Sequence, residues 1–192
     1  TYDENGNPII HPATDSIATG SRHDLKYLPL SLAYNLTWRM PRLPLTPGLG
    51  LSANLWYSGS QNNLKAIAGT TNSAGHWVAL TPSLSADFIV YTNWVLSARL
   101  NGQWANEPLI SNEQFGGGGV GNVRGYHEGE VFGDTGWHVS LEQQTPPYVI
   151  GLIAQRIPLT VRGSIYTDYA KTYLLEPGSR PGSTALWGTG LG

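Results

Sequence analysis

The chain has 192 residues, room for one domain with a sizeable core, but only 12% of them are charged, about half the share usual in a globular protein. A net charge of -2 without a basic stripe excludes a nucleic-acid binder, and the absence of cysteine excludes disulfide frameworks and thiolate metal sites. No apolar run nears the roughly 18 residues of a spanning helix, whereas few charges, 7 Trp, 10 Tyr and 24 Gly suit the half-apolar strands of a transmembrane β-barrel.

Alternation with a period of two dominates the chain and predicts strands. The first runs from Leu28 to Met40, with Leu28, Leu30, Leu32, Tyr34, Leu36, Trp38 and Met40 on one face and small or polar residues on the other. The second sets Leu49, Leu51, Ala53, Leu55 and Tyr57 against Gly50, Ser52, Asn54 and Ser58, with Trp56 breaking the pattern. A third, Val78 to Phe88, sets Val78, Leu80, Leu84, Ala86 and Phe88 against Ala79, Thr81, Ser83, Ser85 and Asp87. In the fourth, Trp94, Leu96, Ala98, Leu100 and Trp104 oppose Asn93, Ser97, Arg99, Asn101 and Gln103. After a glycine-rich segment, Trp137, Val139 and Leu141 oppose His138, Ser140 and Glu142. Then Val161, Ile165 and Tyr169 alternate with Arg162, Ser164, Tyr166 and Asp168, and a seventh strand begins near Thr184.

The connectors alternate in length, as in barrels with short periplasmic turns and long extracellular loops. Met40 to Gly48 and Val90 to Asn93 are short; Gly59 to His76, Ala105 to Thr135 and Leu174 to Ser183 are long and polar. Thr145 to Pro158 lies on the short side but is long, with an apolar stretch that could extend a strand. Trp38, Trp77, Trp94, Trp104, Trp137 and Trp187 fall near strand ends, where aromatic girdles sit. A water-soluble β-sandwich would alternate similarly, but would have to remain soluble on very few charges.

The segment Ser111 to Gly136 is a long loop, and the four glycines Gly116 to Gly119 are read as too flexible to hold a strand. Arg124 in it needs a partner away from the membrane surface. A phosphate-cradling loop is the rival, but no Gly-Lys-Ser/Thr follows. Of the histidines His11, His23, His76, His127 and His138, none has a metal-like spacing. His138 shares its face with Glu142, a pair read as solvated. No Gly-x-Ser-x-Gly elbow is present, so no catalytic residue and no enzyme is expected.

Glu113-Gln114-Phe115, the glycines, Val123-Arg124-Gly125-Tyr126 and Gly133-Asp134-x-Gly136 together resemble the outer-membrane transporters of two-partner secretion. These are the haemolysin or filamentous-haemagglutinin secretion/activation proteins of the Omp85 superfamily. The resemblance implies that Val123 to Tyr126 form the tip of the sixth extracellular loop, folded into the barrel. It further implies that Arg124 is held by an Asp on a following strand, in an aromatic-x-Asp-x-Gly/Ala segment. Tyr166-Thr167-Asp168-Tyr169-Ala170 matches, with Ala170 where the family often has Gly, and Asp168 falls on the polar face of its strand. The fold expected is therefore an all-β, antiparallel transmembrane β-barrel segment, about seven of about sixteen strands, with a long inward-folded loop.

The resemblance implies a bacterial outer-membrane pore, without cofactor, that passes a secreted partner protein in extended form. It is expected to act as a monomer among outer-membrane lipid and lipopolysaccharide. An assembly insertase of the same superfamily shares the Val-Arg-Gly-Tyr/Phe loop, and a surface adhesin or structural β-domain is the non-transporting alternative. With no initiator Met or signal peptide, residues 1–192 are expected to be part of a longer polypeptide, with periplasmic POTRA domains upstream. Seven strands alone leave two edges, so an open sheet is expected.

Overall fold

The computed structural model describes residues 26–59, 62, 75–91, 93–153 and 157–192. The N-terminal polar segment, with His11 and His23, and most of the Gly59 to His76 loop lie outside these residues. So do positions 154–156 of the long connector. The strands are β1 (Lys26–Asn35), β2 (Leu45–Ser58), β3 (Val78–Ile89), β4 (Val95–Ala105), β5 (Phe115–Gly117), β6 (Val131–Gly133), β7 (Thr135–Gln144), β8 (Tyr148–Ile153), β9 (Ile157–Val161), β10 (Ser164–Tyr173) and β11 (Ser183–Leu191). No helix among the described residues is long and apolar enough to cross a membrane.

Seven strands form one antiparallel sheet in the order β1-β2-β3-β4-β7-β10-β11, and its edges β1 and β11 do not meet. Sheet neighbours are also neighbours along the chain once β5-β6 and β8-β9 are set aside as separate hairpins. This is the meander of an up-and-down barrel wall. Each wall strand lies where alternation predicts one, but its ends and length differ: β1 is shorter than the Leu28 to Met40 run, and β2 and β7 are longer than their runs. Regular pairing of β1 stops at Asn35; beyond it the Leu36 N–H donates to the Pro47 carbonyl at 3.0 Å and Trp38 bridges Leu45, before Pro41 removes a donor. Val161 belongs to β9, and β10 begins at Ser164.

The sheet is inside-out for a soluble protein. Leu28, Leu30, Leu32 (74% exposed), Tyr34, Leu49, Leu51, Leu84, Leu100, Leu141 and Ile165 stand bare on the outer face. The buried side chains include Asn54, Ser97, His138, Ser140, Asp168 and Thr172 on the opposite face. In water such a sheet would bury the leucines, whereas in a bilayer the leucines face solvent.

Two departures from strict alternation have physical causes. The β1-β2 register shifts at Leu28/Pro29, so Leu55 is an extra residue and both Leu55 and Trp56 point outward. The bulge explains Trp56 and corrects the expected orientation of Tyr57. Its ring packs edge-on against His76 at 5.2 Å on the inner side. Asn54 satisfies the bulge, taking the Leu28 N–H on Oδ1 at 3.1 Å. Trp77 is no girdle residue: at 4% exposure it packs with Ala79, Ala105 and Leu109 under the loop root.

Candidate functional site

The long loop after β4 does not hang free. Its stem is the two-stranded ladder β5-β6, which pairs Phe115 with Gly133, Gly116 with Phe132 and Gly117 with Val131. Gly116 and Gly117 thus do hold a strand, against expectation; the ladder supplies partners, and only Gly118 (φ 101°) and Gly119 (φ 97°) need the left-handed freedom of glycine. The stem lies flat on β7 and β10 because glycines let backbones approach. A Cβ on Gly136 would strike the Phe115 ring, and one on Gly133 would come within 2.7 Å of the Tyr173 carbonyl oxygen.

The loop root is tied by Asp134, which is buried. Its Oδ1 accepts from the Leu109 N–H at 2.8 Å and from Gln114 Nε2 at 3.0 Å, and its Oδ2 accepts from the Leu175 N–H at 2.9 Å. One carboxylate thereby joins the end of β4, the loop and the segment after β10. Glu113 sits at the same rim, accepting from Tyr27 Oη at 3.1 Å and, through its carbonyl, from Gln103 Nε2 at 2.9 Å.

From this root the tip descends along β7, whose lateral rows place Ser140 beside Asp168 and Glu142 beside Tyr166. Arg124 lies over both rows. Its Nε–H and one Nη2–H donate to the two oxygens of Asp168 at 2.8 and 2.9 Å, a bidentate fork. Nη1 donates to Glu142 Oε2 at 2.6 Å, the Arg124 backbone N–H donates to Asp168 Oδ2 at 3.1 Å, and Nη2 reaches Ser140 Oγ at 3.4 Å. The guanidinium carbon also stands 3.5 Å from the Tyr166 ring centroid, a close cation–π contact. Hydrogen bonds donated to Asp168, then to Glu142, hold the Arg124 guanidinium above its ordinary pKa. The Asp168 side chain is fully covered, while 23% of Arg124 is exposed.

The rest of the tip is shaped to fit. Val123 is buried against Ala170 and Leu186. Gly125 has φ 96° with open space around it, so backbone conformation alone demands glycine there. Tyr126 Oη donates to the Trp187 carbonyl at 3.3 Å. Gly188 on β11 lies under the tip, where a Cβ would strike the Arg124 carbonyl oxygen. From Thr135 at the loop rim to Glu142 is seven residues, so the tip reaches about 23 Å down the wall.

The structure thus brings Val123 to Tyr126 onto β10 and β11, and Phe115, Gly133 and Gly136 into the stem. It also gives the loop contacts that sequence reasoning does not assign: Glu142, Tyr166, Ser140 and Gly188, of which Tyr166 is quoted only within the motif around Asp168 and Glu142 only beside His138. Shared inward parity on adjacent strands is the one signal that could have found the first three. His138 is corrected: it is buried beneath the loop rather than solvated.

Comparison with known proteins agrees with this architecture. The family described as haemolysin secretion/activation protein ShlB/FhaC/HecB matches residues 31–192. No curated protein matches the chain.

Proposed function

The chain belongs to the haemolysin secretion/activation family of two-partner secretion transporters, as part of the C-terminal barrel region, and from that premise we propose that it walls a pore through which a secreted partner protein leaves the cell. The pore lies in the outer membrane of a Gram-negative bacterium, one barrel per pore, with phospholipid and lipopolysaccharide against its outer face. Periplasmic POTRA domains upstream receive the partner, which passes in extended form. The chain does no catalysis; its work is to open and close a path.

The observation that carries this reading is the grip on Arg124. Two carboxylates and an aromatic ring from β7 and β10 hold a loop tip deep against the inner face. A plug held by charge-assisted bonds is firm but reversible, because a wet lumen can resolvate each partner on release. The neighbouring wall favours passage. Ser31, Ala33, Gly50, Ser52, Thr81 and Ser83 present small, uncharged side chains inward, and a cavity of about 280 Å³ opens between β1–β4 and Phe115 of the stem. An extended chain meets few large or charged groups there to bind it tightly.

The test is secretion of the partner by full-length protein carrying Arg124→Ala or Asp168→Ala, with barrel assembly measured in parallel. Lost secretion from an assembled barrel is expected. Normal secretion from an assembled barrel contradicts the role of the clamp.

A further inference from the structure

The connector between β7 and β10 is too apolar for the place it occupies. The wall ladder ends where Thr145 N–H donates to the Gly163 carbonyl at 2.9 Å, and Gly163 N–H donates to Thr145 Oγ1 at 3.0 Å. Pro146 and Pro147 then oppose Arg162 alone, and neither proline has an N–H to continue the ladder. This two-against-one step kinks the ribbon as a bulge does. Pairing resumes at Tyr148 with Val161, and β8-β9 continues past the rim for six residues, about 20 Å. β7 and β10 already have ten residues each, enough to cross the hydrocarbon core, so this hairpin projects beyond it.

Both faces of the hairpin are greasy. Tyr148, Ile157, Leu159 and Val161 share one face; Val149, Leu152 and Pro158 share the other, and all are exposed. β8-β9 forms its own two-stranded sheet, with neither outer edge paired among the described residues. A lone hairpin of this kind is marginal in water, and its apolar surface needs cover. Charge points to the cover. From Tyr148 to Gly163 the sequence has no Asp or Glu, and its charges are Arg156 and Arg162. The hairpin also continues β7 and β10, whose outward Leu141 and Ile165 are exposed.

We propose that β8-β9 is a membrane-interface anchor that folds onto the inner leaflet of the outer membrane, its apolar side chains among acyl chains and Arg162 at lipid phosphates. This rests on the reading of the outer face as lipid-facing. It pins the β7-β10 pair, which carries Glu142 and Asp168, to the bilayer while the loop above is released.

Residues 1–192 contain no cysteine, so in full-length protein with any cysteine outside them replaced by serine, Leu152→Cys can carry a single environment-sensitive fluorophore. The protein is placed in phosphatidylethanolamine/phosphatidylglycerol vesicles containing nitroxide-labelled phospholipid, with Leu141→Cys on the wall of β7 as reference. Blue-shifted emission at Leu152, quenched to an extent comparable with Leu141, is expected. Water-like emission at Leu152 beside a quenched Leu141 overturns the anchor alone. Blue-shifted but unquenched emission also overturns it, in favour of a protein domain as cover. An unquenched Leu141 overturns the lipid-facing wall, and the anchor with it.

Discussion

Arg124 uses four of its five N–H donors on Asp168, Glu142 and Ser140 and stacks on Tyr166 with its planar face. Only a guanidinium satisfies both demands, since an ammonium is a point charge without a fork. Removing one partner of a dry buried pair costs about 3–5 kcal/mol, and the figure is smaller here because part of Arg124 meets solvent. Arg124→Lys keeps the charge but loses the bidentate contact and the stacking. It is expected to raise proteolytic nicking at the loop tip several-fold without unfolding the barrel; unchanged protection would place the hold elsewhere. The arginine itself is no pH switch. Its pKa is raised, so its contribution is fully present below the ordinary guanidinium value, which covers the physiological range.

At the scale of elements, the stem of the loop is a glycine-cut ribbon laid on β7 and β10 and tied at its root by Asp134. Asp134→Ala leaves the Leu109 and Leu175 N–H groups without their acceptor, each costing about 1–3 kcal/mol if it stays buried. Hydrogen exchange should quicken at Leu109 and Leu175 while β3 and β4 stay protected. Unaltered exchange there would show that the root holds without the carboxylate. Much of this architecture is legible in the sequence, for reasons visible in particular residues. The seven wall strands show because one face of each is apolar and the other small or polar, which writes the period of two into Leu28 to Tyr34 and into Trp137 to Glu142. β5-β6 does not show, because Gly116 and Gly117 carry no side chains to alternate. β8-β9 shows only as an apolar stretch that could extend a strand, because a ribbon apolar on both faces, as in Tyr148 to Leu152, has no period. Glu142 looks like any other inward polar residue until the loop is laid upon it.

For the whole molecule, the inverted distribution of side chains assigns the two faces different solvents. Leu141 stands on the outer face of β7 and Ser83 on the inner face of β3. An outward arginine near the bilayer centre costs about 2–4 kcal/mol, whereas inner-face substitutions are tolerated. Leu141→Arg should therefore lower the yield of barrel folded into lipid vesicles, and Ser83→Arg should leave it nearly unchanged. Equal effects would contradict the assignment of faces.

The central claim is that the loop resting on β10 must leave it for the partner to pass, and a reversible lock tests this directly. A Cβ on Gly117 would stand 3.6 Å from that of Ala170, within the span of a disulfide once the Val131 side chain at 2.8 Å shifts, and residues 1–192 hold no other cysteine. In full-length protein carrying Gly117→Cys and Ala170→Cys, oxidation should stop secretion and reduction restore it. Undiminished secretion with the disulfide formed would contradict the account.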